Sequence, residues 1–371
     1  MEIESKQKTV FVGMSGGVDS SVAAALLKER GFDVIGVHIK MWSDPAIPCN
    51  FKEDRYDAMA AAEKIGIPFQ TWDLTEEYRT AVVEYMIHEY AMGRTPNPDI
   101  MCNRHIKFGF FLKKALERGA DYIATGHYVR KTQNIKHKTQ SLRTAKDTNK
   151  DQSYFLWTLG QEELRHALFP IGEYTKPDVR DMARKMGLPT AEKKDSQGIC
   201  FIGEIDLTAF LKKHIPEERG VVMTTAGRRV GEHDGLSFYT IGQREGIKSG
   251  GGGIPYYVAE KDFATNTLVV AEGPYDEKLF KDTMDITDVH WIAGTEPAFP
   301  LACTARIRYR QPLQSCIVNL QPVEAKTFAS TTHNLQVIFA KSQRAVTPGQ
   351  SIVFYQGEEM LGGGVIASAR V

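Results

Sequence analysis

At 371 residues the chain exceeds what one hydrophobic core usually supports, so two or three domains are expected. Lys plus Arg equals Asp plus Glu at 46 each, which excludes a global field for holding a polyanion and leaves nucleic-acid binding to local basic patches. No apolar stretch has the length of a membrane span, and residues 1–8 lack a signal-peptide core, so a cytoplasmic protein without a membrane partner is expected.

A strand-like run, Thr9 to Val12, leads into Gly13-Met14-Ser15-Gly16-Gly17-Val18-Asp19-Ser20, and a helix is expected from Ser20 to Arg30, with Val22, Leu26 and Leu27 on its apolar face. Glycines let the backbone take positive φ and approach a ligand, and the helix N-terminus offers N–H groups and a positive dipole end, so the turn reads as a phosphate cradle. Its spelling excludes a Walker loop and a dinucleotide fingerprint. On composition alone it could equally be a tight strand-to-helix connection.

Further on, Phe32 to Met41 reads as a second strand, Asp54 to Ile65 as a helix and Phe69 to Leu74 as a third strand. Thr75 is placed as the cap of a helix running towards Met92, and Asp121 to Thr125 is a fourth strand entering Gly126-His127. Strands alternating with helices predict a doubly wound parallel α/β sheet with its ligand site at the carboxyl ends of the strands. Pro96 and Pro98 hold the 94–102 stretch extended, and a helix is expected from Asn103 to Gly119. That puts Cys102 near a helix N-terminus with Arg104, His105 and Lys107 behind it, all favouring thiolate. Asp99 is either an acid, a base or the helix cap.

Lys131 to Lys150 reads as a basic excursion from the sheet, and Thr175 with Pro177 opens a helix ending at Gly187. Gly198 and Gly203 bracket a loop-like segment carrying Cys200, which together with Cys102 suggests two-thiol chemistry. The five cysteines, at 49, 102, 200, 303 and 316, contain no C-x-x-C pair, so neither zinc nor a disulfide framework is indicated. Beyond a helix from Asp206 to His214 come short strands, among them Gly220 to Thr224, Arg229 to Glu232, Leu236 to Ile241, Tyr256 to Glu260 and Leu268 to Ala271. From about Asp285 the pattern is wholly β, with runs including Ala302 to Arg310, Cys316 to Leu320, Leu335 to Ala340 and Ser351 to Tyr355 at the spacing of a small barrel. Along the first of these runs Arg306, Arg308 and Arg310 would share one face, suited either to phosphates or simply to solvent. The expected domains are 1–206, 207–281 and 282–371.

The Ser-Gly-Gly-x-Asp-Ser element resembles the pyrophosphate loop of ATP pyrophosphatases, and across nearly the whole chain the sequence is similar to the bacterial-type tRNA-specific 2-thiouridylases. The motifs are GMSGGVDSSV, GRTPNPDIMCN, ADYIATGHYVR, NKDQSYFLWTL, KKDSQGICFIGE, HDGLSFYTIGQR, RIRYRQP, AVTPGQSIVFY and LGGGVI. The resemblance implies an ATP pyrophosphatase domain of adenine nucleotide hydrolase type, a small mixed central domain and a C-terminal β-barrel that contacts tRNA. It implies ATP at Gly13, Met14, Ser15, Gly16, Gly17, Val18, Asp19 and Ser20, with Ile39 and Gly126 beside the adenosine. Where the family commonly has Phe-Met-Lys-Asn-Trp, this chain has His38-Ile39-Lys40-Met41-Trp42.

By the same resemblance Asn97, Pro98 and Asp99 meet the target base, Cys102 is the nucleophile and Cys200 carries the persulfide. His127, Lys150, Asp151, Gln152, Arg308, Tyr309 and Gln350 match tRNA-contacting positions. The implied reaction is ATP-dependent 2-thiolation of the wobble uridine, with magnesium bound alongside ATP at Asp19 and no separate metal site. The implied partners are tRNA and a persulfide donor, either a cysteine desulfurase or a sulfur-relay protein. Two other classes share part of the pattern. An amidotransferase or ligase such as GMP synthetase would need the loop but not both cysteines, and a catalytically silent tRNA-binding protein would need the basic tail but not the loop.

Overall fold

The computed structural model describes residues 7–44, 51–134, 139–194, 207–247, 253–321 and 334–371. The first strands are β1 (Thr9–Gly13), β2 (Asp33–Lys40), β3 (Phe69–Asp73) and β4 (Tyr122–Ala124), followed by a hairpin of β5 (Arg130–Asn134) and β6 (Thr139–Arg143), then the two-residue β7 (Ala167–Leu168). A parallel sheet forms in the order β3-β2-β1-β4-β7. Val10 and Val12 of β1 point to one core with Ala24, Leu27 and Ala58, while Phe11 points to another with Trp72 and Phe111. Burial on both faces is what a parallel sheet covered by helices demands. The strand order reverses between β1 and β4, and the crevice of such a sheet opens at that switch point.

Helix α1 (Val18–Glu29) is buried nearly all round rather than along one face. Ala24 and Leu27 meet the sheet, and Val22, Ala23 and Leu26 meet Val179 and Ala183 of the helix Lys176–Lys185. The helix carrying Cys102 starts earlier than the prolines suggested. Asn97 is its cap, accepting from the Ile100 N–H at 3.3 Å, and Pro98 occupies the first turn, where its missing N–H costs nothing. The helix runs over 98–117, with its middle, Cys102–Phe110, wound as π-helix. Asp99 therefore lies inside the first turn and is not the cap.

The central module is a four-stranded sheet of β8 (Gly220–Thr224), β9 (Arg229–His233), β10 (Tyr256–Asp262) and β11 (Thr267–Glu272), in the order β10-β11-β8-β9. The run Leu236 to Ile241 is not a strand. A 3-10 turn forms at Leu236–Phe238 because Leu236, Phe238 and the adjacent Tyr239 are all buried, which the two opposed faces of a strand would not permit against one core.

The barrel comprises β12 (Phe280–Trp291), β13 (Leu301–Arg306), β14 (Gln314–Leu320), β15 (Leu335–Arg344), β16 (Ser351–Gln356) and β17 (Glu359–Arg370), closed by pairing of β12 with β17. β13 ends at Arg306. The Ile307 N–H then donates to Gln311, Arg310 turns through φ 63° and Pro312 follows, so the expected row of three arginines on one strand does not exist. The described hairpin of β5 and β6 is not a solvated excursion: β6 pairs with β17 and extends the barrel's sheet. Arg130 and Arg143 both bond Glu358 at 2.7 Å, and Lys131 Nζ donates to the carbonyls of Leu164 and Ala167 at 2.9 and 2.6 Å. Burial pushes the Lys131 ammonium down to about 8. Those charges serve the fold.

Two seams join barrel and first domain. At one, Tyr154 Oη donates to the Ser351 carbonyl at 2.8 Å, Ser153 and Tyr355 hydroxyls meet at 3.0 Å, and Arg306 lies 3.3 Å from Asp151. Both partners of that ion pair are nearly inaccessible, with side chains 10% and 3% exposed. Breaking a buried pair strands its partner charge, so Arg306→Ala is expected to cost about 3–5 kcal/mol, visible as a lowered thermal midpoint. An unchanged midpoint would mean that the seam contributes nothing to stability. At the other seam, Thr95 N–H donates to the Pro348 carbonyl at 2.9 Å and Gln350 Nε2 donates to the carbonyls of Thr95 and Pro96 at 2.8 and 3.1 Å.

Candidate active site

The glycine turn sits at the carboxyl end of β1, and Gly126 lies just beyond the end of β4, so the two flank the switch point. Of the glycines in the turn only Gly16 has positive φ, at 84°; Gly13 completes β1, and Gly17 precedes α1 with extended backbone, φ −91° and ψ 165°. Gly16 is pressed against the second helix, α2 (Phe51–Ile65): a Cβ there would lie 2.2 Å from the Asp54 carbonyl oxygen. A Cβ on Gly126 would lie 2.7 Å from the Ser20 nitrogen. The loop is further fixed by Ser20 Oγ, which accepts from the Ser15 N–H at 3.2 Å, and by the Met14 N–H, which donates to Val37 at 2.8 Å.

His38 completes this frame, its Nδ1 lying 2.8 Å from the Met14 carbonyl, so the ring carries its proton there. Burial holds the His38 imidazole below its usual range. Gly17 has no side chain with which to cap α1, and no side-chain cap bond forms at that helix start. An uncapped 12-residue helix behind a cradle that admits no Cβ at Gly16 or Gly126 suits a polyphosphate. Ile39 is half-buried near the end of β2, opposite Trp72 in register.

Asp19 lies in the first turn of α1. Both of its oxygens accept from Lys176 Nζ, at 2.8 and 2.9 Å, and one also accepts from Tyr128 Oη at 2.7 Å. Lys176 and Tyr128 were not singled out by the sequence; a lysine beside a helix cap and a tyrosine after Gly-His carry no signal until the fold brings them to Asp19. Among the described residues no cluster of three or more acidic, histidine or cysteine side chains forms a metal cage. Asp19 with phosphate oxygens is the manner in which magnesium is ordinarily held.

Cys102 is buried, 1% exposed, in the first π turn of its helix. His105, three residues further along the helix, is held below its usual range by burial. Cys200 lies outside the described residues. Both flanks of its segment are anchored: Lys193 bonds Asp54 and Asp57 of α2 at 2.7 and 2.5 Å, and beyond it Phe210 packs edge-on against Trp42 while Lys213 pairs with Asp44 at 3.0 Å. Cys303 and Cys316 form a separate pair, directly opposite each other on β13 and β14 with sulfurs 3.7 Å apart.

A cavity of about 470 Å³ opens where the three domains meet, lined by Asn97, Gln243, Arg308, Tyr309, Thr347 and Gln350 together with residues 240–242. It brings together four residues that the family resemblance implied would meet tRNA, and adds the 240–243 loop, whose role the sequence did not signal. Arg308 Nη2 donates to the Ala345 carbonyl at 2.5 Å, and Tyr309 packs on Phe155 at 4.5 Å. His127 does not join this surface. It is buried between Phe108 and Phe169, bonds Thr125 at 2.8 Å, and is held well below its usual range by desolvation. Asp151 is buried too, accepting from Ala145 and Ser153, and the Gln152 side-chain oxygen accepts from the Tyr128 N–H at 3.0 Å. Lys150, by contrast, is half-exposed.

No helix among the described residues is long and apolar enough to cross a membrane. The family model described as "tRNA methyl transferase HUP domain" matches residues 8–204, one described as "tRNA methyl transferase PRC-barrel domain" matches 208–272, and "Aminomethyltransferase beta-barrel domain" matches 281–366. The chain is 47% identical over 372 residues to the tRNA-specific 2-thiouridylase MnmA of Streptococcus mutans, covering 99% of this chain and 97% of that one. With the protein of the same name from Streptococcus thermophilus strain CNRZ 1066 the identity is 46%, with the same coverage. A solved NMN synthetase from Francisella tularensis aligns at 15% identity and TM-score 0.34, over 55% of this chain and 72% of its own.

Proposed function

The chain belongs to the tRNA-specific 2-thiouridylase family, and from that premise we propose that its pyrophosphate loop, Cys102 and Cys200 thiolate the wobble uridine of tRNA in three linked steps. The enzyme is an ATP-dependent tRNA sulfurtransferase. The methyl-transfer wording of two family models does not fit a site built around a pyrophosphate cradle, and relatives matched end to end carry the thiolase name.

The steps follow from the chemistry of uracil. Its C2 oxygen is a poor leaving group, so it first attacks the α-phosphorus of ATP and pyrophosphate departs. Loop N–H groups and the α1 dipole offset the charge on the leaving group, and Asp19 is the residue that would hold magnesium, whose charge would add to theirs. The terminal sulfur of a Cys200 persulfide then attacks C2 and expels AMP with the oxygen. The Cys102 thiolate attacks Cys200 Sγ, which frees the 2-thiocarbonyl and leaves a Cys102–Cys200 disulfide for an external thiol to reduce. Asp99, in the turn before Cys102, is the candidate acid or base. A cysteine desulfurase or a sulfur-relay protein supplies the persulfide, and the setting is the cytoplasm.

The observation that carries the tRNA reading is the cavity at the domain junction. Asn97 lines it and caps the helix of Cys102, so a base entering the cavity approaches the thiol's helix from its N-terminal end. Residues from 94–97, 240–243, 308–309 and 347–350 would form a single surface, with Gln350 tying the Pro96 stretch to the barrel. Reaching a base in a folded anticodon loop requires flipping it out. Arg308→Ala is expected to weaken cognate and non-cognate tRNA alike and to lower the salt slope by about one unit. Titrations at several salt concentrations check this; unchanged affinity and slope would remove Arg308 from the tRNA surface.

A further inference from the structure

Cys303 and Cys316 have no part in the proposed reaction, yet the fold sets them face to face. Both are free thiols and register partners on β13 and β14, with Thr304 opposite Ser315 and Ala305 opposite Gln314 beside them. Directly opposed residues of antiparallel strands have Cα atoms about 4.5–5.5 Å apart, inside the range that a disulfide spans. The two sulfurs lie 3.7 Å apart, so a side-chain rotation brings them to the bonding distance of about 2 Å. Pairing of β13 with β16 and of β14 with β15 holds the strands from either side. Cys316 is buried in the barrel core with Val318 and Phe339. Cys303 is only half-buried, and the pair lines a cavity of about 430 Å³ with Ala302, Ile317 and Ile338. The hydrogen bond between the thiols, with Cys316 as donor, holds Cys303 below the usual thiol range, whereas that bond and burial push Cys316 above it.

One partner is thus the more accessible and more readily ionised nucleophile, and the other stands where a resolving thiol must stand. We propose that Cys303 and Cys316 form a second reactive dithiol, which hydrogen peroxide oxidises to a cross-strand disulfide that staples the hairpin carrying Arg308 and Tyr309. The connection 307–313 joins the two strands, and Arg308 and Tyr309 on it line the cavity at the domain junction. Cys303 attacks one peroxide oxygen; the O–O bond breaks, hydroxide leaves, and a sulfenic acid forms on Cys303. Cys316 then attacks Cys303 Sγ, the S–O bond breaks, and the hydroxyl departs as water with the Cys316 proton. The two sulfurs give up two electrons, and the peroxide is reduced to two molecules of water. An external thiol reverses the bond by exchange. The dithiol stands apart from the thiolation reading; only the meaning of the staple for tRNA rests on that reading.

The test treats the full chain with hydrogen peroxide, blocks the remaining thiols and maps peptides by mass spectrometry without reduction. Wild type is expected to give a linked pair of peptides carrying Cys303 and Cys316, lost on adding dithiothreitol. With dimedone present, Cys316→Ala should be labelled at Cys303, while Cys303→Ala should leave Cys316 unlabelled. Amide exchange across residues 307–313 is expected to slow by about tenfold in oxidised wild type and to stay unchanged in peroxide-treated Cys303→Ala. Recovery of both cysteines as thiols, Cys303 joined to any other cysteine, or a disulfide that leaves exchange at 307–313 unaltered would overturn the proposal. If the disulfide forms and slows exchange while Arg308→Ala binds tRNA as wild type does, the dithiol is upheld and only the tRNA role of the hairpin falls.

Discussion

Cys102→Ser is expected to stop multiple turnover, with a loss of about a thousandfold, and to leave tRNA attached to the protein. In the proposed sequence Cys102 acts after sulfur has reached C2, so without it the base stays joined to Cys200 through a disulfide. The adduct should accumulate to one per active site on a non-reducing denaturing gel of labelled tRNA and disappear on adding dithiothreitol. Free 2-thiouridine at the wild-type rate, in the absence of added thiol, would remove Cys102 from the mechanism. Cys102 is buried at the start of a π stretch, so serine also places a hydroxyl in an apolar setting, at a cost of about 1–3 kcal/mol. Cys303→Ser and Cys316→Ser on the barrel separate that cost from chemistry: they are expected to keep activity.

Gly126→Ala is the second substitution with a large expected effect. Its methyl would arrive 2.7 Å from the Ser20 nitrogen and 2.8 Å from the Asp19 carbonyl carbon, and backbone cannot swing aside as a flexible side chain can. The N-terminus of α1 must shift, and with it the N–H groups and the carboxylate aimed at phosphate. ATP affinity measured by calorimetry should fall by about a hundredfold, while the melting temperature moves by only a few degrees. Gly31→Ala is the matched control. That glycine also has positive φ, 83°, but nothing lies within 4 Å of its Cβ, so the change costs about 1–2 kcal/mol of backbone strain and leaves ATP binding alone. Equal ATP affinities for wild type and Gly126→Ala would show that the crevice beside β4 is not the nucleotide site.

The parallel sheet, the helices that cover it and the cradle were legible because each depends on local pattern: β-branched runs, glycine stops and one glycine turn. Much of the rest depends on which partner the chain meets. The alternation through Arg306, Arg308 and Arg310 has the period of a strand, yet Arg306 is drawn inward by Asp151, 155 residues away, and the strand ends there. Lys131 looks like part of a solvated excursion until β17 pairs with β6 and the carbonyls of Leu164 and Ala167 accept from it. Prolines at 96 and 98 argued for extended chain, but Pro98 is welcome in a first turn and Asn97 supplied the cap. At the site, glycine spelling pointed to the loop, whereas Lys176 and Tyr128 became visible only once the fold had brought the start of one helix and the connection after β4 beside α1. The cavity at the domain junction could not be read from any one segment, since residues from three domains line it.

The proposed reaction turns on ATP being cleaved at its α-phosphate to activate a uridine for sulfur. The most direct measurement follows purified enzyme, unmodified tRNA, a persulfide donor and ATP labelled at the α- or γ-phosphate, with nucleosides from the recovered tRNA analysed by mass spectrometry. The expected result is AMP and pyrophosphate formed one for one with 2-thiouridine at the wobble position, all three absent without tRNA. ADP and inorganic phosphate as the products, or AMP formed with no 2-thiouridine in the tRNA, would contradict it.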